Sequence, residues 1–438
     1  MAVVLSRPRP GAGPAAAAGQ ASAARQPPVG APAGSDGTST VAIRHDTRQP
    51  PPRATTRLDS ELARQLTAAG PRSGALVVDL SSGATLFALR AAVARAPASV
   101  EKLWTSVAAL RLLGPGARLH TSLLGTGEQR GDVWVGNLYL RGGGDPTFSD
   151  TTFDRVWYGG AGPTSTELAD MLAARGIRRV TGLLFADESL FDRRRGGLLT
   201  NQLPDLPDLG GQLSALVYDH GATARHYNPA TFAAHELALT LRATGVRVTA
   251  SDHDAVTPGG ARPLASVSSP PLETILRLMN VPSDDLFAEM LAKLMGALFG
   301  RGGTIASGAQ VISRTIAADY GLRPLILDGS GLSPSDRSSP RQVVSLLRDL
   351  WGTAVGRELR ASLPVVGREG TVQGIALRTA AAGNCQAKTG TLNYVTNLAG
   401  YCAVPGHAPV AFAIFIDGPD NATAITIEGR MIAAIARG

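Results

Sequence analysis

The sequence has 438 residues, of which 44% are hydrophobic, and this is enough for one large or several smaller packed domains. Its net charge is +7, but residues 1–57 hold seven arginines against two aspartates, a net +5, so the remaining chain is nearly neutral. This distribution argues against nucleic-acid binding by the folded part, and no run approaches the roughly 20 apolar residues that span a membrane.

The first segment, residues 1–57, is rich in alanine, proline and glycine and contains neither lysine nor an aromatic residue. Such a composition cannot bury enough apolar surface to fold, so we predict a disordered basic tail. Its first thirty residues include no apolar stretch that resembles a signal peptide. The sequence therefore does not reveal an export route.

The elements that follow the tail are a helix and a hairpin. Helical periodicity covers 60–69, and two apolar stretches at 75–80 and 85–89 are joined by a Ser-Ser-Gly turn. A second helix is predicted to begin near Ser99, because Pro97 precedes a run with apolar residues at helical spacing.

The middle of the chain has a different character. From about 114 to 263, short apolar runs alternate with Gly, Pro and Asp, which indicates an inserted domain. Helices and strands then return at 272–279, 286–293, 388–391, 398–404, 409–417 and 422–436. We predict an α/β (α+β) fold, in which 58–113 and 264–438 form one sheet domain with helices on its faces and 114–263 interrupts it.

Lysine is rare in this sequence, with three lysines against 39 arginines. Two of the three, Lys102 and Lys388, lie in Ser-x-x-Lys at 99–102 and in Lys-Thr-Gly at 388–390. Arginine supplies charge but not an amine that loses its proton, so retained lysines suggest chemistry. Ser99 and Lys102 are three residues apart, so on a helix they share one face, where the amine can take the hydroxyl proton.

Three motifs occur in a fixed order: Ser-x-x-Lys at 99–102, Ser-Asp-Asp at 283–285 and Lys-Thr-Gly at 388–390. In this order the chain resembles the penicillin-recognising serine peptidases, in particular the class C low-molecular-mass penicillin-binding proteins, which are D-alanyl-D-alanine carboxypeptidases and endopeptidases. Further similar stretches are 143–147, 187–191, 269–272 and 328–333. The resemblance covers about 58–430 and implies a β-lactamase/transpeptidase-like antiparallel sheet flanked by helices, with a large insert.

The resemblance also implies catalytic roles for four residues. Ser99 would be the acylated nucleophile and Lys102 its base. Ser283 would pass a proton toward the leaving amine. Lys388 would meet the free carboxylate of the substrate, and it could also be the second cation that activates Lys102.

The strand of the Lys-Thr-Gly motif is implied to bind substrate. Thr389 and Thr391 would assist the carboxylate, and the backbone N–H groups of Ser99 and Thr391 would form the oxyanion hole. Glycine at position 390 is expected independently of the resemblance, because a strand edge that closely approaches the substrate backbone leaves no space for a side chain.

The middle motif departs from the family at Asp285, where asparagine is usual. An ionised aspartate accepts hydrogen bonds but cannot donate one to the substrate, and near Lys102 it favours the protonated amine. Asp336 also occupies a position where asparagine is expected. The aspartate at position 285 has three alternative explanations: a subfamily adapted to its own substrate, a slow enzyme, or a protein that only binds. Separately, Ser283 could act only as the N-cap of a helix.

The two cysteines, Cys385 and Cys402, flank the Lys-Thr-Gly strand and the strand after it. A tight hairpin centred on 393–394 would pair them across the ladder, which suits a disulfide, with two buried thiols as the alternative. A disulfide indicates an oxidising compartment, here the cell envelope, periplasmic or extracellular.

Three functions therefore compete. The first is a serine-type D-alanyl-D-alanine carboxypeptidase or endopeptidase that cleaves peptidoglycan stem peptides through a Ser99 acyl-enzyme and is acylated by penicillins and other β-lactams. The second is a catalytically impaired cell-wall-binding protein whose tail contacts anionic wall polymers. The third, a β-lactamase-like or esterase activity, is disfavoured by the long insert. No cofactor is expected, and the scattered histidines predict no metal site.

Overall fold

The computed structural model describes residues 57–197, 209–224 and 227–438. The predicted disordered tail therefore lies outside the described residues, apart from Arg57. Among the described residues, no helix combines the length and the apolar character needed to cross a bilayer.

The described residues form ten named strands, which are β1 Gly74–Asp79, β2 Thr85–Leu89, β3 His120–Arg130, β4 Val133–Arg141, β5 Arg179–Asp187, β6 Arg247–Asp254, β7 Arg262–Ser268, β8 Cys385–Leu392, β9 Val395–Cys402 and β10 Val410–Asp417. The named α-helices are α1 Arg57–Ala68, α2 Lys102–Leu113, α3 Thr151–Phe153, α4 Ser165–Ala174, α5 Pro229–Ala243, α6 Leu272–Asn280, α7 Asp285–Phe299, α8 Ile305–Tyr320, α9 Pro340–Leu350, α10 Ala354–Ser362 and α11 Asn421–Ile435. Short 3₁₀ turns at Ala98–Glu101 and Gly370–Val372 and a π-helical turn at Asp154–Tyr158 complete the set.

The first sheet joins the two ends of the described chain. Its order is β2-β1-β10-β9-β8, and neighbouring strands are antiparallel throughout. The predicted sheet, formed by the front hairpin and the last three strands, is confirmed. Strand β8, which carries the Lys-Thr-Gly motif, lies at one edge of the sheet. Its outer side pairs with residues 364–366 at Cys385–Ala387, and from Lys388 onward no further strand of the described residues pairs with it.

Helices cover both faces of this sheet. Successive side chains of a strand point to opposite faces, and in β1 Ala75 packs in the core that includes α1 and α11, whereas Leu76 packs in the core that includes α2. Because both faces are buried, the strands are apolar along most of their length.

The second sheet is built from the middle of the chain. Its order is β6-β5-β4-β3-β7; β4, β5 and β6 are parallel, and β3 is antiparallel to β4 and to β7. Helices α4 and α5 pack on it around a separate core. The predicted boundary at 263 falls inside β7, because Leu264 and Val267 are buried in this core. The assignment of 114–263 as a separate domain stays a prediction.

Candidate active site

The nucleophile candidate, Ser99, lies in the 3₁₀ turn that leads into α2. The α-helix follows directly from Lys102, so the predicted helix near Ser99 is confirmed, with a first turn that is 3₁₀ rather than α-helical. Ala98 in this turn has a φ of 48°, a left-handed conformation that is unusual for a residue other than glycine. The turn nevertheless brings the two side chains together, since Lys102 Nζ donates to Ser99 Oγ at 2.9 Å.

Lys102 is fully buried and makes three hydrogen bonds. Besides Ser99, its amine donates to the carboxylate of Asp285, with which it forms an ion pair, and to the carbonyl oxygen of Ser330 at 2.9 Å. These three acceptors hold the amine in one orientation, and its contact with Ser99 Oγ is the path along which a proton can pass.

Ser283 and Lys388 form the second hydrogen-bonded pair. Lys388 Nζ donates to Ser283 Oγ at 2.7 Å and to the carbonyl oxygen of Thr389 at 2.9 Å. Ser283 has a φ of 68°, and backbone strain of this kind is concentrated at functional sites. The N-cap of α7 is Asp284, whose side chain accepts from the N–H of Phe287, so the N-cap interpretation of Ser283 was wrong.

The amine of Lys388 is fully buried, and burial lowers its pKa well below the usual lysine range. The neighbouring charge of Lys102 lowers the pKa further, while the carboxylate of Asp285 raises it. Lys388 therefore gives up its proton more readily than a solvent-exposed lysine does.

Strand β8 packs directly against the turn that holds Ser99. A β-carbon on Gly390 would lie 2.5 Å from the carbonyl oxygen of Pro97 and 3.1 Å from the Ser99 nitrogen. The glycine therefore makes room for the nucleophile turn. That it also makes room for substrate stays a prediction. On the same strand, Thr389 Oγ1 donates to Thr371 Oγ1 at 2.7 Å.

The predicted residues meet at one groove with a volume of about 450 Å³. Its lining includes the candidates Ser99, Ser283, Asp285, Thr389 and Thr391. Lys102 and Lys388 reach the groove through their hydrogen bonds to the two serines. Three sequence motifs separated by about 180 and about 100 residues thus supply one site.

Acidic side chains are buried behind Lys102. Glu289 accepts from Ser330 Oγ at 2.5 Å and from the Ser330 nitrogen at 3.0 Å, and so it holds the carbonyl that Lys102 contacts. Burial raises the pKa of Glu289 to about 8 and that of Asp336 to about 9, with the charge of Asp328 adding to both. Asp336 is therefore largely protonated at neutral pH, which brings it closer in charge to the asparagine expected there.

The structure contains the disulfide between Cys385 and Cys402. The two residues are directly opposite in the β8–β9 ladder, and both are buried. The bond therefore ties the edge strand of the Lys-Thr-Gly motif to its neighbour.

Several residues that position the site were not predicted. Asn397, on β9, donates from Nδ2 to the carbonyl oxygens of Ala96 at 2.9 Å and of Pro97 at 2.8 Å, and so it fastens the nucleophile turn to the sheet. An asparagine within a largely apolar strand was the available signal in the sequence. Ser330 acts through its carbonyl oxygen, which the side-chain pattern does not reveal.

Comparison with known proteins agrees with this geometry. Residues 54–203 and 207–437 match the profile of Peptidase_S13, the D-Ala-D-Ala carboxypeptidase 3 (S13) family. The chain is 33% identical to Carboxypeptidase DacB of Mycolicibacterium smegmatis, over 80% of this chain and 77% of that protein. It is 27% identical to a D-alanyl-D-alanine carboxypeptidase of Actinomadura sp., over 84% and 81% of the two chains.

Among solved structures, penicillin binding protein 4 of Haemophilus influenzae shares the fold, with a TM-score of 0.70 and 20% identity, over 87% of this chain and all of that chain. The family profile covers both the sheet domain with its three motifs and the middle of the chain. The chain therefore belongs to the D-Ala-D-Ala carboxypeptidase 3 (S13) family.

Proposed function

We propose that this protein is a serine-type D-alanyl-D-alanine carboxypeptidase that cleaves peptidoglycan stem peptides through an acyl-enzyme on Ser99. The observation that carries the proposal is the pair of hydrogen bonds, Lys102 to Ser99 and Lys388 to Ser283, at one groove. Membership of the S13 family supports the same reaction and the same substrate class.

In the acylation step, Ser99 Oγ attacks the carbonyl carbon of the scissile peptide bond. Its proton passes to the neutral amine of Lys102, which lies at hydrogen-bonding distance. The negative charge that develops on the carbonyl oxygen is stabilised by the backbone N–H groups of Ser99 and Thr391, and such groups typically contribute about 10²–10³ in rate.

In the second half of acylation, the C–N bond breaks and the leaving amine takes up a proton. Ser283 is placed to deliver this proton, because its hydroxyl is hydrogen-bonded to the amine of Lys388, which can replace it. Water then attacks the acyl carbon and gives one proton, through Ser283, back to Lys388. As the ester C–O bond breaks, Ser99 Oγ takes back the proton that Lys102 holds, and the shortened peptide leaves as a carboxylic acid that ionises in solvent. Lys388 and Thr389 bind the terminal carboxylate of the substrate.

A protein that only binds the cell wall is the weaker alternative. The proposal of impaired catalysis rested on Asp285, yet the nucleophile, the base and the second serine–lysine pair are all retained with their hydrogen bonds. We infer that Asp285 holds the base in place through its ion pair and does not abolish the reaction.

We propose that the enzyme acts in the cell envelope, periplasmic or extracellular. The support comes from the peptidoglycan substrate class of the family and from the disulfide, which forms in oxidising compartments. The proposed contact between the N-terminal tail and anionic wall polymers concerns residues that, apart from Arg57, lie outside the described ranges.

The proposal is tested by measuring release of D-alanine from a pentapeptide that ends in D-Ala-D-Ala. We expect release by the wild-type protein and by Ser82→Ala, a control in an exposed turn, and a loss of at least about 10³-fold in Ser99→Ala. Endopeptidase action is measured separately, as the conversion of a cross-linked dimer into two single peptides. Equal release by Ser99→Ala would contradict the assigned nucleophile.

A further inference from the structure

The turn that carries the Ser-Asp-Asp motif presents its side chains to two different cavities. Ser283 and Asp285 line the catalytic groove, where Ser283 is hydrogen-bonded to Lys388 and Asp285 to Lys102. Asp284, between them, lines a separate cavity with a volume of about 580 Å³. The carboxylate of Asp284 can therefore hold the turn from the side away from the groove.

Three hydrogen bonds fix Asp284. Its backbone N–H donates to the carbonyl oxygen of Met279 at 2.8 Å, and its Oδ1 accepts from the N–H of Phe287 at 2.9 Å and so caps α7. Its Oδ2 accepts from Nε2 of His220 at 2.7 Å. The first two bonds are local, whereas His220 precedes Asp284 by 64 residues and ties the turn to the middle of the chain.

His220 also packs against the first turn of α7. Its ring lies 5.8 Å from the ring of Phe287, with an angle of 28° between the two planes. Phe287 is buried, and its N–H is the group that Asp284 caps. The side chains of His220 and Asp284 keep only 20% and 18% of their exposure. A hydrogen bond that is so withdrawn from water, and supported by a ring contact, holds the carboxylate in one orientation.

The backbone around His220 holds the imidazole in place. Asp219 and His220 have φ values of 44° and 60°, a left-handed conformation that is uncommon outside glycine. The carboxylate of Asp219 accepts from the N–H of Asp150 at 2.9 Å. A β-carbon on Gly211 would lie 1.8 Å from the carbonyl oxygen of His220, so this close approach requires the glycine. Strain of this kind persists only where the surroundings hold it, and it is concentrated at functional sites.

Ser283 is the residue that this support serves. It lies in the short connection between the end of α6 at Asn280 and the N-cap of α7 at Asp284, and its own φ is 68°. Its hydroxyl must stay within hydrogen-bonding distance of Lys388, which is now 2.7 Å. Because Asp284 directly follows Ser283 in the chain, a turn released from His220 would move this hydroxyl away from Lys388.

We propose that His220 is a positioning residue, which holds the hydroxyl of Ser283 in its reactive place through the side chain of Asp284. The inference rests on the proposed function, because the delivery of a proton by Ser283 is part of it. It gives the middle of the chain a part in catalysis, although His220 does not line the catalytic groove.

Two substitutions that differ in reach test this role. In His220→Gln the amide nitrogen can take the place of Nε2 and donate to Asp284, whereas the side chain in His220→Asn is one methylene shorter and leaves Asp284 without this donor. The measurement is the rate constant of acylation by benzylpenicillin, followed by intact mass. We expect a loss of about ten-fold in His220→Asn and a rate within about three-fold of the wild type in His220→Gln, since displacing a reacting group by about 1 Å can cost about 10²-fold.

A purely structural role for His220 predicts the opposite order. Asparagine tolerates a left-handed φ better than glutamine does, so His220→Asn would then be the more stable and the more active variant. Thermal unfolding of both variants is measured beside the rates. His253→Asn, at an exposed site on β6, is the matched control and should acylate like the wild type. Acylation by His220→Asn as fast as by His220→Gln would overturn the inference.

The path through Ser283 is tested by adding His220→Asn to Ser283→Ala. Without the serine hydroxyl nothing is left to position, so the second change should cost less than about two-fold, whereas independent effects would add and give a further loss of about ten-fold. That further loss would overturn the inference. Absence of acylation in the wild-type protein would count against the proposed function and the inference together, whereas equal acylation of the wild type and His220→Asn would count against the inference alone.

Discussion

At the scale of single residues, the ion pair between Lys102 and Asp285 is the feature that sets this site apart. Both side chains are largely withdrawn from solvent, and a charge pair in such surroundings is screened much less than a pair at the surface. The carboxylate occupies one donor position of Lys102 and, unlike asparagine, has no N–H group to offer to the substrate. The loss of that donation is the cost of an aspartate at position 285.

Replacing Asp285 with asparagine tests this reasoning. Asparagine still accepts a hydrogen bond from Lys102, and its amide N–H can also donate to the substrate, which a carboxylate cannot do. We expect the rate of acylation by benzylpenicillin to rise by up to about ten-fold, the effect of one added hydrogen bond. The measurement is the acylation rate at one fixed pH; Asp252→Asn, at an exposed site on β6, is the control. An unchanged rate would show that the missing donor does not limit acylation.

Lys388 leads to a prediction about pH. Only its ammonium form attracts the substrate carboxylate, and its lowered pKa means that this form is lost at a lower pH than for an ordinary lysine. As the pH rises through that pKa, KM should increase for a peptide with a free terminal carboxylate. KM for the matching peptide amide should stay flat.

The variant Lys388→Arg provides the check, because arginine keeps its charge over this pH range and should remove the increase. Parallel KM curves for the acid and the amide in the wild-type protein would rule out the assigned carboxylate contact.

At the scale of elements, β8 and the nucleophile turn act as one unit. A methyl group on Gly390 would displace the turn by contact with Pro97 and Ser99. We expect Gly390→Ala to reduce kcat by about 10²-fold, because misplacing a nucleophile by about 1 Å has an effect of this size. The measurement is single-turnover acylation together with thermal unfolding.

Gly116→Ala is the matched control, since a β-carbon there meets no atom within 4 Å and the position does not have a left-handed φ. It should keep full activity. Full activity in Gly390→Ala as well would contradict the close contact between this glycine and the nucleophile turn.

The disulfide between β8 and β9 gives an element-scale stability prediction. It closes a loop of 17 residues, so replacing both Cys385 and Cys402 with serine should lower the free energy of unfolding by about 3 kcal/mol. Urea unfolding measures this change, and the wild-type protein under reducing conditions should approach the double variant. Equal midpoints for the oxidised and reduced wild-type protein would contradict the stabilising role.

The elements near the motifs could be predicted from the sequence because they show local signals. The hairpin at the front, the three strands at the end and the final helix all have clear apolar periodicity, and the structure contains them. The order of the second sheet could not be predicted, since its parallel pairs β4–β5 and β5–β6 join strands that are far apart in the sequence.

The scarcity of lysine, which in the sequence suggested chemistry, identified the catalytic residues only in part. All three lysines are buried, but Lys293 lies away from the catalytic groove, where its amine pairs with Asp192 at 2.6 Å. The scarcity of lysine thus identified buried amines, of which only Lys102 and Lys388 reach the groove. Contacts through backbone oxygens, such as that of Ser330, have no sequence signal at all.

At the scale of the whole molecule, the site depends on bringing distant parts of one chain together. The nucleophile turn precedes the second sheet, the Ser-Asp-Asp motif follows it, and the Lys-Thr-Gly strand comes another hundred or so residues later. The antiparallel pairing of β1 with β10 closes the first sheet between the two ends of the described chain. Any change that opens this sheet should therefore lower activity and stability together.

The nucleophilic role of Ser99 is tested most directly by the intact mass of the full chain after incubation with benzylpenicillin, followed by peptide mapping. We predict one penicilloyl adduct on the wild-type protein, located on Ser99, and none on Ser99→Ala that unfolds at the same temperature as the wild type. An adduct of equal yield on Ser99→Ala, or no adduct on the folded wild-type protein, would contradict the assignment of Ser99 as the acylated residue.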